Sequence, residues 1–498
     1  MNVNPITRLD YPDPDVIRVE DTYYMVSTTM HFMPGCEILQ SFDLVHWEHV
    51  TYVYETLDHT DAQQLKSGHN IYGQGMWAAS LRYHEGRFYI CFVANDTRKT
   101  YLYTSEKIDG PWKKQLIEGF YHDGSLLFDE DGRNYIVYGN DEIWITELNE
   151  DLTAPKKDGL HRLLVSDHKN PELGYEGSHI QKINGYYYIF LVHSLRDRWM
   201  RTEACFYSDS LEGEFTGGDV LCDDRGYCGQ GVAQGGIVDT PDGKWYAMLF
   251  QDSGAVGRIP ILLPVTWKDH FPFFGQNGHV PEEIEVHSTR PGYIYQPLVG
   301  SDDFCNGLLP RWQFNHDPDP RYYHLDALQG TYTITTREVC TELTQAVNTL
   351  TQRMSYPSCA AEVTVDASAL KEGDVAGLCA LQSCYAAVGI TKHHGKYEVL
   401  MLDKKEDGIL DMTEGTVVES HQMDFRLEAD FCNMKDEARC YYRVNKGDWL
   451  PIGNVHKLYF KLDHFTGCRF GLFCYAAEET GGSACFRDFK YYDVDEIS

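Results

Sequence analysis

The pattern of apolar and polar positions in residues 1–298 repeats one layout five times. Each copy has a polar or aromatic leading residue, an apolar run, a tight turn that contains Gly or Asp, and then a strongly aromatic run. The copies begin at Asp13, Trp77, Asp123, Glu176 and Gln234. β-Branched and aromatic runs on both sides of a turn such as Asn-Gly or Asp-Gly are typical of β-hairpins. The pattern therefore predicts strands throughout this region and little helix.

The spacing of the copies predicts how the strands assemble. They recur every 45–65 residues or so, a length suited to a four-stranded propeller blade. Residues 1–298 are therefore predicted to form a five-bladed β-propeller. Residues 299–498, after a segment with Pro and Gly, contain short strand-like runs separated by turn residues, which predicts an antiparallel β-sandwich. The predicted fold class is all-β, with the propeller first and the sandwich at the C-terminus.

The propeller interpretation brings the leading residues of the five copies together. The innermost strand of each blade begins near the central axis, so equivalent positions of successive blades converge at one end of the ring. Three carboxylates, one aromatic ring and one amide are expected there: Asp13, Asp123, Glu176, Trp77 and Gln234. Taken singly, each acidic residue could simply belong to a turn, since Asp hydrogen-bonds its own backbone. Their common register is what favours a site.

Three convergent carboxylates match the chemistry of glycosidic bond cleavage. One carboxyl group donates a proton to the leaving oxygen, and a second activates water or attacks the sugar. A third near the acid raises its pKa by like-charge repulsion and keeps it protonated near neutral pH. Arg258 follows the fifth copy and could hydrogen-bond sugar hydroxyls or a carboxylate, or form an ordinary ion pair.

Composition restricts the classes of binding partner and the cellular location that are expected. The formal net charge is −32, which argues against nucleic acid and anionic membrane and is compatible with a neutral sugar. No run approaches the length of a membrane-spanning segment. The fifteen cysteines show no zinc-site spacing, so no metal site is predicted from them. Without a visible export signal, unpaired cysteines predict a cytoplasmic location.

The motifs in this order resemble glycoside hydrolase family 43, and the resemblance covers nearly the whole chain. They are YPDPDVIRVEDTYYMVST, SFDLVHWEHV, GMWAASLRYHEGRFYICF, HDGSLLFDEDGRNYIVYGN, EGSHIQKINGYYYIFLVH, AQGGIVDTPDGKWYAMLF and GRIPILLPVTW. The RPGY motif and the DDFCNGLLPRWQFNHDPD segment resemble the junction and sandwich of two-domain members.

The resemblance implies roles for individual residues. It implies an inverting enzyme with Asp13 as general base, Glu176 as general acid and Asp123 as the carboxylate that tunes the acid and orients the sugar. Arg258 matches the arginine that contacts the sugar. Aromatic residues of the pocket are matched by Trp77 and Phe32.

The two-domain architecture fits the xylosidase and arabinofuranosidase branches of the family. Exo action on short hemicellulose oligosaccharides is therefore expected, with release of α-L-arabinofuranose, β-D-xylose or both. Gln234, expected to contact substrate, stands where many members have a histidine of a central calcium site. No cofactor is therefore expected to be required, although a hydrated calcium ion near the axis stays open.

Three alternatives stay open. The fructan and sucrose hydrolases also pair a five-bladed propeller with a sandwich, but their Asn-Asp-Pro-Asn-Gly and Glu-Cys motifs are replaced here. A glycoside phosphorylase on the same propeller would need a basic phosphate pocket. A non-catalytic carbohydrate-binding protein would be expected to lack one or more of the three carboxylates.

Overall fold

The computed structural model describes residues 2–493, which form five four-stranded antiparallel sheets followed by two larger packed sheets. This confirms the predicted all-β fold, a five-bladed propeller with a C-terminal sandwich. Residue 1 of the first predicted domain and residues 494–498 of the second lie outside the described residues. No helix within the described range is long and apolar enough to cross a membrane.

Each blade is built from one continuous stretch of chain. The strands of blade 1, from the inside outward, are Asp15–Val19, Thr22–Val26, Gly35–Ser41 and Glu48–Tyr54. Those of blade 2 are Met76–His84, Arg87–Ala94, Lys99–Ser105 and Lys113–Ile117. Those of blade 3 are Ser125–Phe128, Asn134–Asn140, Glu142–Leu148 and His161–Ser166. Those of blade 4 are Glu176–Ile183, Tyr186–Ser194, Arg201–Ser208 and Thr216–Leu221. Those of blade 5 are Ala233–Asp239, Trp245–Asp252, Arg258–Lys268 and Phe271–Phe274.

A single side chain ties several blades together at the axis. Arg82 of blade 2 donates from Nη1 to Oδ2 of Asp15 in blade 1 at 2.8 Å. It also donates to the Ser125 hydroxyl and the Leu126 carbonyl of blade 3, and at 3.3 Å to the Ile180 carbonyl of blade 4. Because Asp15 is only 1% exposed, its carboxylate depends on this guanidinium for charge compensation.

The ring is closed without any blade combining strands from the two ends of the propeller segment. Arg18 of blade 1 donates to both carboxylate oxygens of Asp239 in blade 5, at 3.2 and 2.5 Å. The amino-terminal strand Asn2–Val3 pairs with Glu283–Ile284, just after blade 5. The first and last blades are thus joined by side-chain contacts and by this two-stranded ladder.

The sandwich consists of a nine-stranded and a seven-stranded antiparallel sheet. The larger sheet contains Leu410–Met412, Lys396–Lys404, Tyr385–His393, Val375–Leu381, Arg469–Tyr475, Leu350–Arg353, Gln313–Asn315 and Phe32–Met33 in spatial order, with Thr416–Val418 beside Lys396–Lys404. The smaller sheet contains Tyr323–Asp326, Thr331–Thr335, Ser483–Asp493, Ser358–Asp366, Gln422–Asp430, Glu437–Arg443 and Leu450–Lys457. Short 3-10 turns occur at Lys66–Gly68, Gly254–Val256, Leu343–Gln345 and Cys432–Met434.

The two domains share a buried interface. The strand Phe32–Met33 of the propeller segment pairs with Gln313–Asn315 and so forms the edge of the sandwich sheet. Glu37 and Arg353, both nearly inaccessible, form an ion pair of 2.8 Å across this boundary. Such contacts hold the sandwich over one side of the propeller.

We expect the substitution Arg82→Met to lower the free energy of unfolding by about 3–5 kcal/mol, because it leaves the buried Asp15 carboxylate without its partner. Urea unfolding followed by tryptophan fluorescence measures the change. The matched control is Arg133→Met, which removes an exposed ion pair with Asp131 of 2.7 Å and should cost less than about 1 kcal/mol. Equal losses in the two variants would contradict the structural role given to Arg82.

Candidate active site

The backbone at the top of the blades places the leading residues of the repeats. Asp13, Asp123 and Gln234 have φ values of 53°, 47° and 66°, and Gly177, which follows Glu176, has a φ of 67°. This left-handed region is open to Gly and tolerated by Asp. A Cβ on Gly177 would lie 2.6 Å from Cγ of Gln234, so glycine is also required for close packing there.

These blade tops surround a cavity of about 250 Å³. Six of the seven residues predicted for the site line it, and Phe32 does not. The lining residues are Asp13, Trp77, Ala78, His122, Asp123, Asn140, Leu173, Glu176, Trp199, Arg201, Gln234, Arg258, Leu462 and Phe465.

Phe32, which was expected to be an aromatic residue near the pocket wall that binds substrate, is not among the residues that line this cavity. Phe32 is 2% exposed and lies beneath the guanidinium of Arg469, 3.4 Å from its ring centroid. Its strand pairs with Gln313–Asn315 of the sandwich, and this pairing holds the ring in the domain interface. Sequence alone could not reveal this partner, because the pairing strand is distant in the chain.

Asp13 is held by two side chains. Arg258 donates from Nη1 to Oδ1 at 2.6 Å, and the Thr28 hydroxyl donates to Oδ2 at 2.5 Å. Asp13 is 2% exposed and lies in the cavity wall. Its orientation is therefore fixed before any ligand binds.

Asp123 and Glu176 form a cluster with His122. Nε2 of His122 is 3.6 Å from Oδ2 of Asp123 and 3.5 Å from Oε2 of Glu176. Burial raises the pKa of Asp123 to about 6; the charge of His122 opposes this shift and that of Glu176 adds to it. Burial by itself would lower the pKa of His122, but the nearby carboxylates Asp123 and Glu176 raise it to about 9.

A chain of buried charges supports Arg258. Asp252 accepts from Nε of Arg258 at 3.2 Å and also forms an ion pair with Arg201. Arg201 and Asp252 are both almost inaccessible to solvent. The two arginines thus enter the cavity wall with their positive charges partly compensated.

The sandwich completes the cavity with Leu462 and Phe465. The Phe465 ring meets Trp77 edge-on at 5.4 Å and has the Arg258 guanidinium 3.9 Å from its centroid. The same loop fixes the turn before Arg258: Cys468 N donates to the Ala255 carbonyl at 2.8 Å. The second domain therefore shapes the site directly.

Several of the lining residues were not among those predicted from the sequence. His122 precedes a predicted site residue, and that adjacency was the available signal. The same adjacency applies to Ala78, which follows Trp77. Nothing in the pattern indicated the other lining residues, which the fold brings in from other strands, from loops and from the second domain: Asn140, Leu173, Trp199, Arg201, Leu462 and Phe465.

The axis does not fit an oxygen-coordinated calcium ion. Calcium takes roughly six to eight oxygen ligands. At the axis, Oδ2 of Asp15, the Ser125 hydroxyl and the Leu126 carbonyl already accept hydrogen bonds from Arg82. Oδ1 of Asp15, which accepts none within the described residues, supplies one ligand oxygen, far short of that number. A metal could also be held by a cluster of His, Cys, Asp and Glu side chains. Within residues 2–493, the only group of three or more whose ligand atoms lie within 4.8 Å of one another is His122, Asp123 and Glu176. Arg201 and Arg258 add positive charge around them.

Two family descriptions match the chain. Glycosyl hydrolases family 43 matches residues 3–272, and the β-xylosidase C-terminal concanavalin A-like domain matches residues 301–492. The β-xylosidase of Formosa agariphila is 26% identical over 99% of this chain and 89% of its own length. The non-reducing end α-L-arabinofuranosidase BoGH43B of Bacteroides ovatus is 24% identical over 82% of this chain and 79% of its own.

Solved structures of proteins described as GH43 are also similar to this chain. A bifunctional GH43-CE protein of Bacteroides eggerthii is 42% identical, with a TM-score of 0.91 over 100% of this chain; the chain spans 64% of that protein. A GH43 glycoside hydrolase engineered to display both endo-xylanase and exo-arabinofuranosidase activity is 27% identical, with a TM-score of 0.87 over 99% of both chains. With the first family description covering more than half of its residues and the cavity carrying the three expected carboxylates, the chain belongs to glycosyl hydrolase family 43 and is a glycoside hydrolase.

Proposed function

We propose that this glycoside hydrolase acts from the end of hemicellulose-derived oligosaccharides and releases α-L-arabinofuranose, β-D-xylose or both, with inversion of configuration. The observation that carries the proposal is the grouping of Asp13, Asp123 and Glu176 in one cavity of about 250 Å³. A cavity of this size suits one sugar unit better than a long polymer segment.

The proposed chemistry uses one water molecule. Asp13 takes a proton from the water as its oxygen bonds to the anomeric carbon, while Glu176 gives its proton to the departing glycosidic oxygen. The products are a sugar with a new anomeric hydroxyl and an alcohol, so atoms and charges balance. Like-charge repulsion between Asp123 and Glu176 favours one bound proton on the pair, and Arg258 holds Asp13 and a sugar hydroxyl.

The names of the relatives support the substrate class without choosing the sugar. One is a β-xylosidase and another a non-reducing end α-L-arabinofuranosidase. β-D-Xylopyranose and α-L-arabinofuranose can present similar hydroxyl geometry, which supports dual activity. The sandwich residues Leu462 and Phe465 narrow one side of the cavity, and this supports exo action.

The proposed function also includes a binding partner and a cellular location. The partner is a small neutral oligosaccharide rather than nucleic acid or membrane, and no cofactor is required. A cytoplasmic location is proposed because all fifteen cysteines, which fall within the described range, are free thiols, and a reducing compartment maintains that state.

The first test uses 4-nitrophenyl α-L-arabinofuranoside and β-D-xylopyranoside, with the anomer of the released sugar followed by proton NMR. We expect release with inversion, and the faster substrate identifies the preferred sugar. Retention would contradict the proposed mechanism. Strict dependence on added phosphate would indicate a phosphorylase, and binding without turnover would indicate a carbohydrate-binding protein.

The second test separates the acid from the base. Glu176→Gln should lower turnover of substrates with poor leaving groups about 10²- to 10⁴-fold and affect activated aryl glycosides far less. Asp13→Asn should abolish both reactions, because the water must be activated in either case. Initial rates on xylobiose and on the 4-nitrophenyl glycosides measure the contrast, and equal losses in Glu176→Gln would remove its role as acid.

The third test concerns the sandwich. Phe465→Ala should lower kcat/KM about 10²-fold, because the wall that positions Trp77 and Arg258 is lost. Leu462→Ala is the control: the side chain is 47% exposed at the rim, so a change of only a few-fold is expected. Circular dichroism confirms folding of both variants. An unchanged kcat/KM in Phe465→Ala would show that the sandwich does not shape the sugar subsite.

A further inference from the structure

His122 lies between two of the three carboxyl groups of the site. Its Nε2 is 3.5 Å from Oε2 of Glu176 and 3.6 Å from Oδ2 of Asp123. The Trp77 ring meets the imidazole edge-on, with 6.0 Å between the ring centroids. A protonated imidazole donates from both nitrogens and is attracted by both carboxylates, so this position suits the cation.

Asn140 contacts the same oxygen of Glu176. Its Nδ2 donates to Oε2 at 2.8 Å, so Oε2 faces a neutral donor and an imidazole nitrogen together. A proton on that oxygen would point toward two donors, which is unfavourable. Oε1 accepts no hydrogen bond from any residue within 2–493 and is the oxygen left to carry the proton.

The charges around the cluster balance when one carboxyl group is protonated. With His122 as a cation, four carboxyl groups face three positive side chains: Asp13, Asp123, Glu176 and Asp252 against His122, Arg201 and Arg258. One bound proton makes the set neutral. The acid form needed for catalysis is then also the form without net buried charge.

The positive side chains around Glu176 act against its protonated form. Burial opposes ionisation of Glu176, but the hydrogen bond and positive charge of His122, together with Arg201 and Arg258, outweigh burial and lower the pKa of the carboxyl group. His122 therefore counteracts the repulsion from Asp123.

We propose that His122, as an imidazolium, positions the general acid: with Asn140 it holds Oε2 of Glu176 as an acceptor, leaves the proton on Oε1, and decides the pH at which activity is lost on the alkaline side. The inference rests on the proposed role of Glu176. His122 acts through its contact with Glu176 and is therefore a positioning residue.

The test is the pH profile of kcat/KM on xylobiose or the matching arabinose disaccharide, whose leaving groups need protonation. His122→Gln keeps a donor but removes the charge, so the alkaline limb should move up by about one to three pH units. His122→Lys restores a positive charge and should return the limb toward the wild-type position. With a 4-nitrophenyl glycoside, which needs the acid less, the shift should shrink.

Asn140→Ala is the matched control, because it removes the neutral donor on the same oxygen. It should lower kcat with a smaller displacement of the limb than His122→Gln gives. An unmoved limb in His122→Gln, or one that moves to lower pH, overturns the inference. The proposed function fails separately, if Glu176→Gln retains full activity on the disaccharide.

A measurement on the wild-type protein guards against a His122→Gln variant that does not fold. The imidazole proton resonance of His122, assigned by its absence in His122→Lys, should stay that of a cation through pH 8. Titration of this resonance near the ordinary value of 6.5 would overturn the inference.

Discussion

The guanidinium of Arg82 at the propeller axis is the interaction on which the rest of the structure depends. Every blade is a continuous stretch of chain, so no shared strand locks the ring. Instead, Arg82 reaches Asp15, Ser125 and the Ile180 carbonyl, and in this way fixes blades 1, 3 and 4 relative to blade 2. The catalytic candidates lie at the start of these inner strands or two residues before it, so the axial contacts help to set their separation.

The cavity above the axis is a network of buried charges in which nearly every group has a partner. Asp252 links Arg201 to Arg258, and Arg258 in turn holds Asp13. In surroundings of low polarity such pairs keep their geometry, because breaking one leaves an uncompensated charge. His122 and Asn140 extend the network to Glu176. The orientation of both the base and the acid candidates is therefore built into the folded protein.

The sandwich contributes residues to the propeller's cavity and pairs with a strand of the propeller segment. Its largest sheet takes in the propeller strand Phe32–Met33, and its loop supplies Phe465 and holds the turn before Arg258. The arginine that contacts Asp13 is thus supported from both domains. This gives a physical reason for the two family descriptions to occur together on one chain: the propeller cavity is incomplete on one side without the sandwich.

The sequence by itself determined the fold class and most of the site. Fivefold repetition fixed the number of blades, and register placed Asp13, Trp77, Asp123, Glu176 and Gln234 around one axis, because equivalent positions of a closed ring must meet. Tertiary structure alone decided the position of Phe32, whose strand pairs with a distant segment, and the contributions of Arg201, Asn140, Leu462 and Phe465. These side chains come from strands other than the innermost strand of a blade and from the second domain. Their positions depend on packing between elements and not on any periodicity within a single segment.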